Sequence, residues 1–278
     1  MTDFGEIGEM MKQTTVLVRY YGQKPNTAKD NLLPIIERNK WAGRIIFGIN
    51  VDYSGDTGGD QSGALDFLKK IKDIHSNVMA LPIRPWGKKS FVGPLNALLT
   101  EAASDPAATY VFLHSAETII DRPTVKILMS YMEGDVLVVG PELPGHDWIS
   151  NDPEECILVK EATGAQIPWG TCMLVRLDKI LPFGFQLIGD FPRDIANAGV
   201  EEYVAFAMIH YFNRENNKIF LVRVPDVGWD TNYDDPERKA WQKKKIESKA
   251  SRPALQLAQI PGLKPPEVIH QYHYTYNV

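Results

Sequence analysis

The chain has 278 residues, of which 44% are hydrophobic and 23% are charged, a balance typical of a globular protein with a substantial core. The formal net charge of −5 gives no electrostatic case for a surface that binds nucleic acid throughout, although it allows a local basic patch. Two cysteines exclude a disulfide framework or a cysteine-rich metal site. Without a signal peptide or an apolar run of membrane-spanning length, we expect a soluble, cytoplasmic protein.

Strand and helix signals alternate along the first half of the chain. Strands are predicted over 14–21, 44–51, 78–83 and 110–113, with helices that begin near Asn26, include Leu65 and Leu68, and begin at Pro94. This β-α-β alternation predicts an α/β fold with a mostly parallel central sheet and helices on both faces.

The alternation changes in the second half. The patterns predict a helix around 125–132, strands over 136–139, 155–161 and 171–176, a helix over 201–212 and a strand over 218–224. The middle strands lack a full helix between them, so part of the sheet is expected to be antiparallel.

The C-terminal region differs in composition. Its basic segment, 238–252, favours a solvated helix, with contact to an anionic acceptor as the alternative. His270 and His273 follow three residues apart, which suits one helix face but is too little for a metal site.

Polar residues end two of the predicted strands. His114, Ser115 and Glu117 follow the strand that starts at Tyr110, and Asn50 and Asp52 end the second strand. Ligands bind at the carboxyl ends of strands in open α/β sheets, so these residues are candidates for a site, with an ordinary loop as the alternative. The loop over 52–60 lacks the spacing of a calcium-binding loop.

Two further clusters carry charge. Lys88 and Lys89 precede a predicted helix N-terminus, a favourable position for a diphosphate, with a solvated loop as the alternative. Glu201 and Glu202 begin another helix, where the helix dipole alone favours carboxylates. No glycine-rich phosphate loop follows the first strand, which argues against dehydrogenases, kinases and nucleotidyltransferases.

The order of several segments resembles that of the inverting, family-two-like glycosyltransferases with the GT-A fold. The segments are Gly93-Pro-Leu-Asn96-Ala, Tyr110-Val-Phe-Leu-His114-Ser-Ala-Glu117, Gly170-Thr-Cys-Met-Leu-Val-Arg, Leu181-Pro-Phe-Gly184-Phe185 and Gly199-Val-Glu201-Glu202. The resemblance extends over about 14–229. It implies one GT-A-like, Rossmann-like domain over 1–230, followed by the basic segment and aromatic tail of 231–278.

The resemblance also implies roles for individual residues. A nucleotide-binding half, 14–122, and an acceptor half, 123–230, would transfer a sugar from a nucleotide-diphosphate donor to an acceptor hydroxyl. Glu201 would be the general base, and Glu202 would orient the acceptor. The implied donor-side residues are Tyr20, Asn50, Asp52, Lys88, Asn96, His114 and Ser115, and the implied acceptor-side residues are Trp169, Gly170 and Thr171.

The sequence departs from this family at the Asp-x-Asp motif, whose aspartates hold Mn²⁺ or Mg²⁺. His114, Ser115, Ala116 and Glu117 occupy the corresponding positions. Three alternatives stay open. Glu117 or His114 holds the ion; no ion is used and Lys88, Lys89 or Arg84 neutralises the diphosphate; or the protein binds a nucleotide or glycan without catalysis.

Overall fold

The computed structural model describes residues 4–22, 24–53, 58–86, 90–149, 156–190, 200–230 and 236–273. The strands are β1 (Thr14–Tyr20), β2 (Arg44–Asn50), β3 (Val78–Ile83), β4 (Tyr110–His114), β5 (Thr118–Ile119), β6 (Val136–Pro141), β7 (Cys156–Val159), β8 (Cys172–Arg176), β9 (Lys218–Arg223), β10 (Gly228–Trp229) and β11 (Val268–Tyr272). The helices are α1 (Phe4–Lys12), α2 (Ala28–Asn39), α3 (Ala64–Ile71), α4 (Val92–Ala103), α5 (Arg122–Ser130), α6 (Leu177–Ile180), α7 (Glu201–Asn213), α8 (Pro236–Glu247) and α9 (Arg252–Leu257).

One nine-stranded sheet has the order β3-β2-β1-β4-β8-β6-β9-β11-β7. β3, β2, β1 and β4 are parallel, whereas β8 is antiparallel to both β4 and β6. The predicted α/β fold with a parallel half and a mixed half is therefore confirmed. The apolar runs form the buried strands, and every residue of β4 is buried.

The strand order reverses between β1 and β4. The chain moves outward from β1 to β2 and β3, then returns to place β4 on the other side of β1. Right-handed crossovers put α2 and α3 on one face and α4 on the opposite face. The carboxyl ends of β1 and β4 thus border a topological switch point, the usual ligand position in such sheets.

Local sequence accounts for several helix boundaries. The Asp121 carboxylate accepts a hydrogen bond of 2.8 Å from the Thr124 backbone N–H, and Pro123 lies in the first turn, so α5 begins as predicted. α2 continues through Pro34, whose position had left this helix boundary open. α1 was not predicted, and it packs against α5.

The C-terminal region is integrated with the sheet. β11 lies between β9 and β7, parallel to the former and antiparallel to the latter. His270 is on this strand, which corrects the expectation that His270 and His273 suit a helix face. Alternating burial along β11 explains the difference, because one side of the strand faces the core.

Among the described residues, no helix combines the length and the apolar character needed to cross a membrane.

Candidate functional site

Two carboxylates are buried at the start of α7. Glu201 is 3% exposed and Glu202 is 2% exposed. Glu201 Oε1 lies 3.6 Å from the guanidinium of Arg19, near the carboxyl end of β1, whereas Glu201 Oε2 is buried with no hydrogen-bond partner among the described residues. The pair therefore lies beside the topological switch point, with one carboxylate oxygen that lacks a donor.

Glu202 pairs with a lysine from the C-terminal region. Lys249 Nζ lies 3.4 Å from Glu202 Oε1 and 3.6 Å from the ring centre of Trp169. Burial raises the pKa of Glu202, as does the neighbouring Glu201, while Lys249 opposes this change. Burial also lowers the pKa of Lys249, to about 7, against the attraction of Glu202. Both groups are therefore shifted towards their neutral forms.

Two further basic residues reach the same cluster. Arg252 is 1% exposed, and its guanidinium donates a 2.8 Å hydrogen bond to the Lys245 carbonyl. Lys245 Nζ lies 5.0 Å from the ring centre of Phe91, and Arg19 Cζ lies 4.7 Å from the same centre. Burial lowers the pKa of Lys245, assisted by repulsion from Arg19 and Arg252. Positive charges from β1 and from the C-terminal helices thus converge on the carboxylates.

The expected solvated helix over 238–252 is corrected in part by these contacts, because Lys243 and Lys244 are exposed whereas Lys249 and Arg252 are buried. Lys249 is only 5% exposed, and its backbone carbonyl lies so close to Gly164 that any Cβ at position 164 would overlap it. Gln256 donates a 3.0 Å hydrogen bond to the Gly189 carbonyl. Charge patterning predicted a solvated helix because it counts charged residues but does not show which part of the protein the other face of the helix contacts.

Arg19, Lys245, Lys249 and Arg252 were not predicted as site residues. The last three have spacings of four and three residues, which place side chains on one face of a helical segment. That spacing indicates a basic helix face. The sequence does not show that this face contacts Glu201 and Glu202.

The acceptor-side candidates lie around the carboxylates. Gly170 lies where a Cβ would be 3.8 Å from Glu202 Oε2 and 3.9 Å from Glu201 Oε1. The Trp169 side chain is fully buried, and its Nε1–H donates a 2.8 Å hydrogen bond to the Gly164 carbonyl. The Thr171 carbonyl accepts a 2.9 Å hydrogen bond from the Ser115 N–H, because antiparallel β8 begins where β4 ends.

The donor-side candidates at the sheet edge take part in local networks. Tyr20, at the end of β1, accepts a 3.0 Å hydrogen bond at its hydroxyl from the Asn31 amide. Asn50 Oδ1 accepts from the Asp52 backbone N–H at 3.0 Å, and Asp52 Oδ2 accepts from the Trp86 backbone N–H at 3.2 Å. Ser115 Oγ is 3.1 Å from Thr118 Oγ1. All four candidates follow or end parallel strands at the same edge.

Two other donor-side candidates differ from this group. Asn96 exchanges two hydrogen bonds with the backbone of Phe185, 2.9 Å to its carbonyl and 2.8 Å from its N–H. Its amide therefore fastens α4 to the turn at Gly184. Lys88 lies outside the described residues, as does Lys89.

His114 is enclosed in the core at 2% exposure. Its Nε2 lies 3.1 Å from the Thr118 carbonyl, which can only accept, so Nε2 carries the proton. Nδ1 then accepts a 2.7 Å hydrogen bond from the Asn39 amide. Burial lowers the pKa of His114 to about 4, so the imidazole is neutral near pH 7.

The residues that replace the Asp-x-Asp motif do not form a metal site of the implied kind. Both ring nitrogens of His114 are engaged, and Ala116 supplies no side-chain donor. The Glu117 carbonyl accepts a 2.8 Å hydrogen bond from the Asp230 N–H, which brings the half-buried Glu117 and the exposed Asp230 together. Within the described ranges, no group of three His, Cys, Asp or Glu side chains is arranged to hold an ion.

No protein-family model matches the chain, and no characterised protein matches it in sequence. Among solved structures, it is similar to the mannosyltransferase PcManGT from Pyrobaculum calidifontis in complex with GDP-Man and Mn²⁺. That match has 14% identity and a TM-score of 0.54 over 88% of this chain and 64% of the mannosyltransferase. The chain thus spans less than two thirds of that protein.

Two other solved structures show weaker similarity. Residues 1–349 of S. aureus TarS in complex with UDP-GlcNAc match at 14% identity and a TM-score of 0.40, over 62% of this chain and 48% of that one. The 4-diphosphocytidyl-2C-methyl-D-erythritol synthase from Anaerococcus prevotii matches at 12% identity and a TM-score of 0.39, over 86% and 97%. The likeness to the mannosyltransferase is one of fold, and the chain has a single GT-A-like, Rossmann-like domain.

Proposed function

We propose that the chain is a nucleotide-sugar-dependent glycosyltransferase of the inverting type, with Glu201 as its general base. The observation that carries the proposal is Glu201 Oε2, a buried carboxylate oxygen beside the switch point of a GT-A-like sheet for which the described residues supply no hydrogen-bond donor. A buried acceptor without a donor costs about 1–3 kcal/mol. An acceptor hydroxyl that donates to this oxygen would remove the penalty and be oriented for reaction.

The reaction follows from that geometry. Glu201 takes the proton of the acceptor hydroxyl as its oxygen bonds to the anomeric carbon of the donor sugar. The bond from that carbon to the diphosphate breaks in the same displacement, and the nucleoside diphosphate leaves with the electron pair. Attack from the side opposite the leaving group inverts the anomeric configuration. A general base contributes roughly 10²–10⁴ in rate.

The donor would lie along the carboxyl ends of β1, β2 and β4. Asn50 and Asp52 at the end of β2 offer acceptors for a base or ribose, and Ser115 at the end of β4 is close to Gly170 through Thr171. The mannosyltransferase with the same fold was solved with GDP-Man and Mn²⁺, which supports a nucleotide sugar as the class of donor.

The test is a comparison of Glu201→Gln with wild type against a panel of nucleotide sugars. A thermal-shift screen first identifies a binding donor, since a ligand of the folded state raises the melting temperature by mass action. Glu201→Gln should retain the shift and lose about 10²-fold or more of donor turnover, with inverted product measured by NMR. Glu215→Gln, an exposed carboxylate beyond α7, is the matched control.

Unchanged turnover in Glu201→Gln would remove the assignment of the base. Donor binding without turnover in wild type, across a broad acceptor panel, would instead favour a non-catalytic nucleotide- or glycan-binding protein.

A further inference from the structure

Lys245 is a cation without a carboxylate partner at the edge of the carboxylate cluster. In the part of the chain that the structure describes, its Nζ makes no ion pair and lies 5.0 Å from the ring centre of Phe91 and 5.2 Å from that of Trp241. Arg19 approaches the same Phe91 ring at 4.7 Å. A cation over an aromatic ring is attracted by the negative face of the ring, which holds these two side chains beside each other.

The cluster has more basic than acidic groups. Arg19, Lys245, Lys249 and Arg252 face Glu201 and Glu202, and within the described ranges Lys249 has one carboxylate contact, at 3.4 Å. Basic groups are costly to bury unless they are paired. An anionic ligand would offset the excess of Arg19, Lys245 and Lys249 over the two carboxylates, and a carboxylate-only metal site would not account for that excess.

Among the described residues, the members of the cluster differ in exposure. Arg19, Phe91, Trp241 and Lys245 are partly exposed, whereas Lys249 and Arg252 lie behind them at 5% and 1% exposure. The partly exposed Arg19 and Lys245, with a buried ammonium and a buried guanidinium behind them, can contact several oxygens of one polyanion.

We propose that Lys245, Arg19 and Lys249 form a diphosphate-binding site that works without a divalent cation. Residues 114–117 lack the ligands that would hold a metal ion at the diphosphate. The C-terminal segment would then supply the positive charge in place of that ion. A departing diphosphate needs such stabilisation, and fixed cations in a water-poor site supply it. The inference rests on the proposed function for the identity of the ligand, whereas the site itself rests on the contacts above.

The experiment measures binding of inorganic pyrophosphate by isothermal titration calorimetry, in EDTA and in Mn²⁺. Wild type should bind pyrophosphate in EDTA. Lys245→Met should raise the Kd by about tenfold or more, because one charge-assisted contact is lost. Lys244→Met, an exposed lysine one position earlier, is the control and should leave the Kd unchanged. Lys245 has no ion pair to break, so urea unfolding should show both variants folded.

Two results would overturn the inference: binding that disappears in EDTA, or equal Kd values for Lys245→Met and Lys244→Met. A nucleoside diphosphate should displace pyrophosphate, and failure to do so would remove the assignment of the diphosphate to a donor. The outcome is separable from that of the proposed function. Pyrophosphate binding without metal, in a protein that transfers no sugar, would support the diphosphate site and contradict the proposed transferase. Glu201-dependent sugar transfer together with metal-dependent pyrophosphate binding would support the transferase and contradict the metal-free site.

Discussion

Lys249 joins the C-terminal region to α7 by a buried ion pair, with its Nζ 3.4 Å from Glu202 Oε1 and side-chain exposures of 6% and 2%. The two residues lie far apart in sequence, and Trp169 covers the ammonium at 3.6 Å. Removal of one member leaves the other charge buried and uncompensated, which costs more than the pair itself contributes. The contact therefore couples the position of the C-terminal helices to the position of the carboxylates.

The first prediction concerns this coupling. Lys249→Met should lower the free energy of unfolding by about 3 kcal/mol, because Glu202 loses its counter-ion. In the double variant Lys249→Met/Glu202→Gln no charge is left to compensate, so much of that stability should return. Urea unfolding of both single variants and the double variant gives the coupling free energy.

The control uses an exposed ion pair on α8, which ends two residues before Lys249. Lys243 Nζ lies 3.8 Å from Glu247 Oε1 with 77% and 60% of the side chains exposed, so Lys243→Met should cost less than about 1 kcal/mol. Additive effects of the two buried substitutions would contradict the coupling.

The second prediction concerns pH. Lys249 has a pKa lowered to about 7 by burial and by Lys245 and Arg252, and it faces Glu201, Glu202 and the neutral His146. A bound diphosphate favours the ammonium form, so binding should take up a proton and the affinity for pyrophosphate should fall as pH rises through about 7. Calorimetry in buffers of different ionisation enthalpy measures the proton uptake.

A matched variant separates Lys249 from the titration of pyrophosphate itself. Lys249→Arg retains a positive charge at all of these pH values, so its affinity should depend less on pH than that of wild type. Parallel pH profiles for the two proteins would exclude Lys249 as the titrating group.

The third prediction concerns His114. Its pKa is lowered from 6.5 to about 4, so between those values the unfolded chain binds a proton that the folded chain does not. Stability is therefore lost as pH falls through this window, by about 3 kcal/mol from this residue. His114→Gln removes the titration, and urea unfolding at pH 7, 5.5 and 4.5 should show a shallower loss of stability than wild type.

The other buried histidines titrate in both proteins and cancel in this comparison. Equal acid sensitivity would show that His114 is not the residue that resists protonation. A melting-temperature response to Mn²⁺ in wild type that disappears in His114→Gln would restore His114 as a metal ligand.

The fold could be predicted to the extent that local patterns decide it. The apolar runs at β1, β2 and β4 are buried, whereas β3, at the edge of the sheet, is only partly buried. Polar side chains at the ends of β2 and β4 lie at one sheet edge. Parallel strands bury both faces, so their sequences carry a strong and continuous signal. The mixed half was predicted less fully, since β11 lies in a tail whose polar and aromatic residues mask its strand pattern.

The site was harder to predict, because its chemistry depends on contacts between distant segments. His114 has metal-ligand chemistry in the sequence, but Asn39 and the Thr118 carbonyl occupy its nitrogens in the fold. The sequence predicts that Lys249 is a solvated charge, but in the structure Glu202 and Trp169 enclose its ammonium group. In both cases the role of the side chain depends on the residues that it contacts and not on its type alone. Those contacts are determined only by the tertiary structure.

The fourth prediction concerns the space beside the carboxylates. A Cβ at position 170 would lie 3.8 Å from Glu202 Oε2 and 3.9 Å from Glu201 Oε1, ordinary contact distances at a backbone conformation open to alanine. Gly170→Ala should therefore fold with unchanged or slightly higher stability, by up to about 1 kcal/mol. Its methyl group would narrow the space beside the Glu201 carboxylate that the acceptor hydroxyl is proposed to approach, so the KM for the acceptor should rise by roughly tenfold while donor affinity is kept. Gly8→Ala, on α1 with no atom within 4 Å of the added Cβ, is the control. An unchanged acceptor KM in Gly170→Ala would place the acceptor elsewhere, because an acceptor bound beside the two carboxylates would have to make room for the added methyl group.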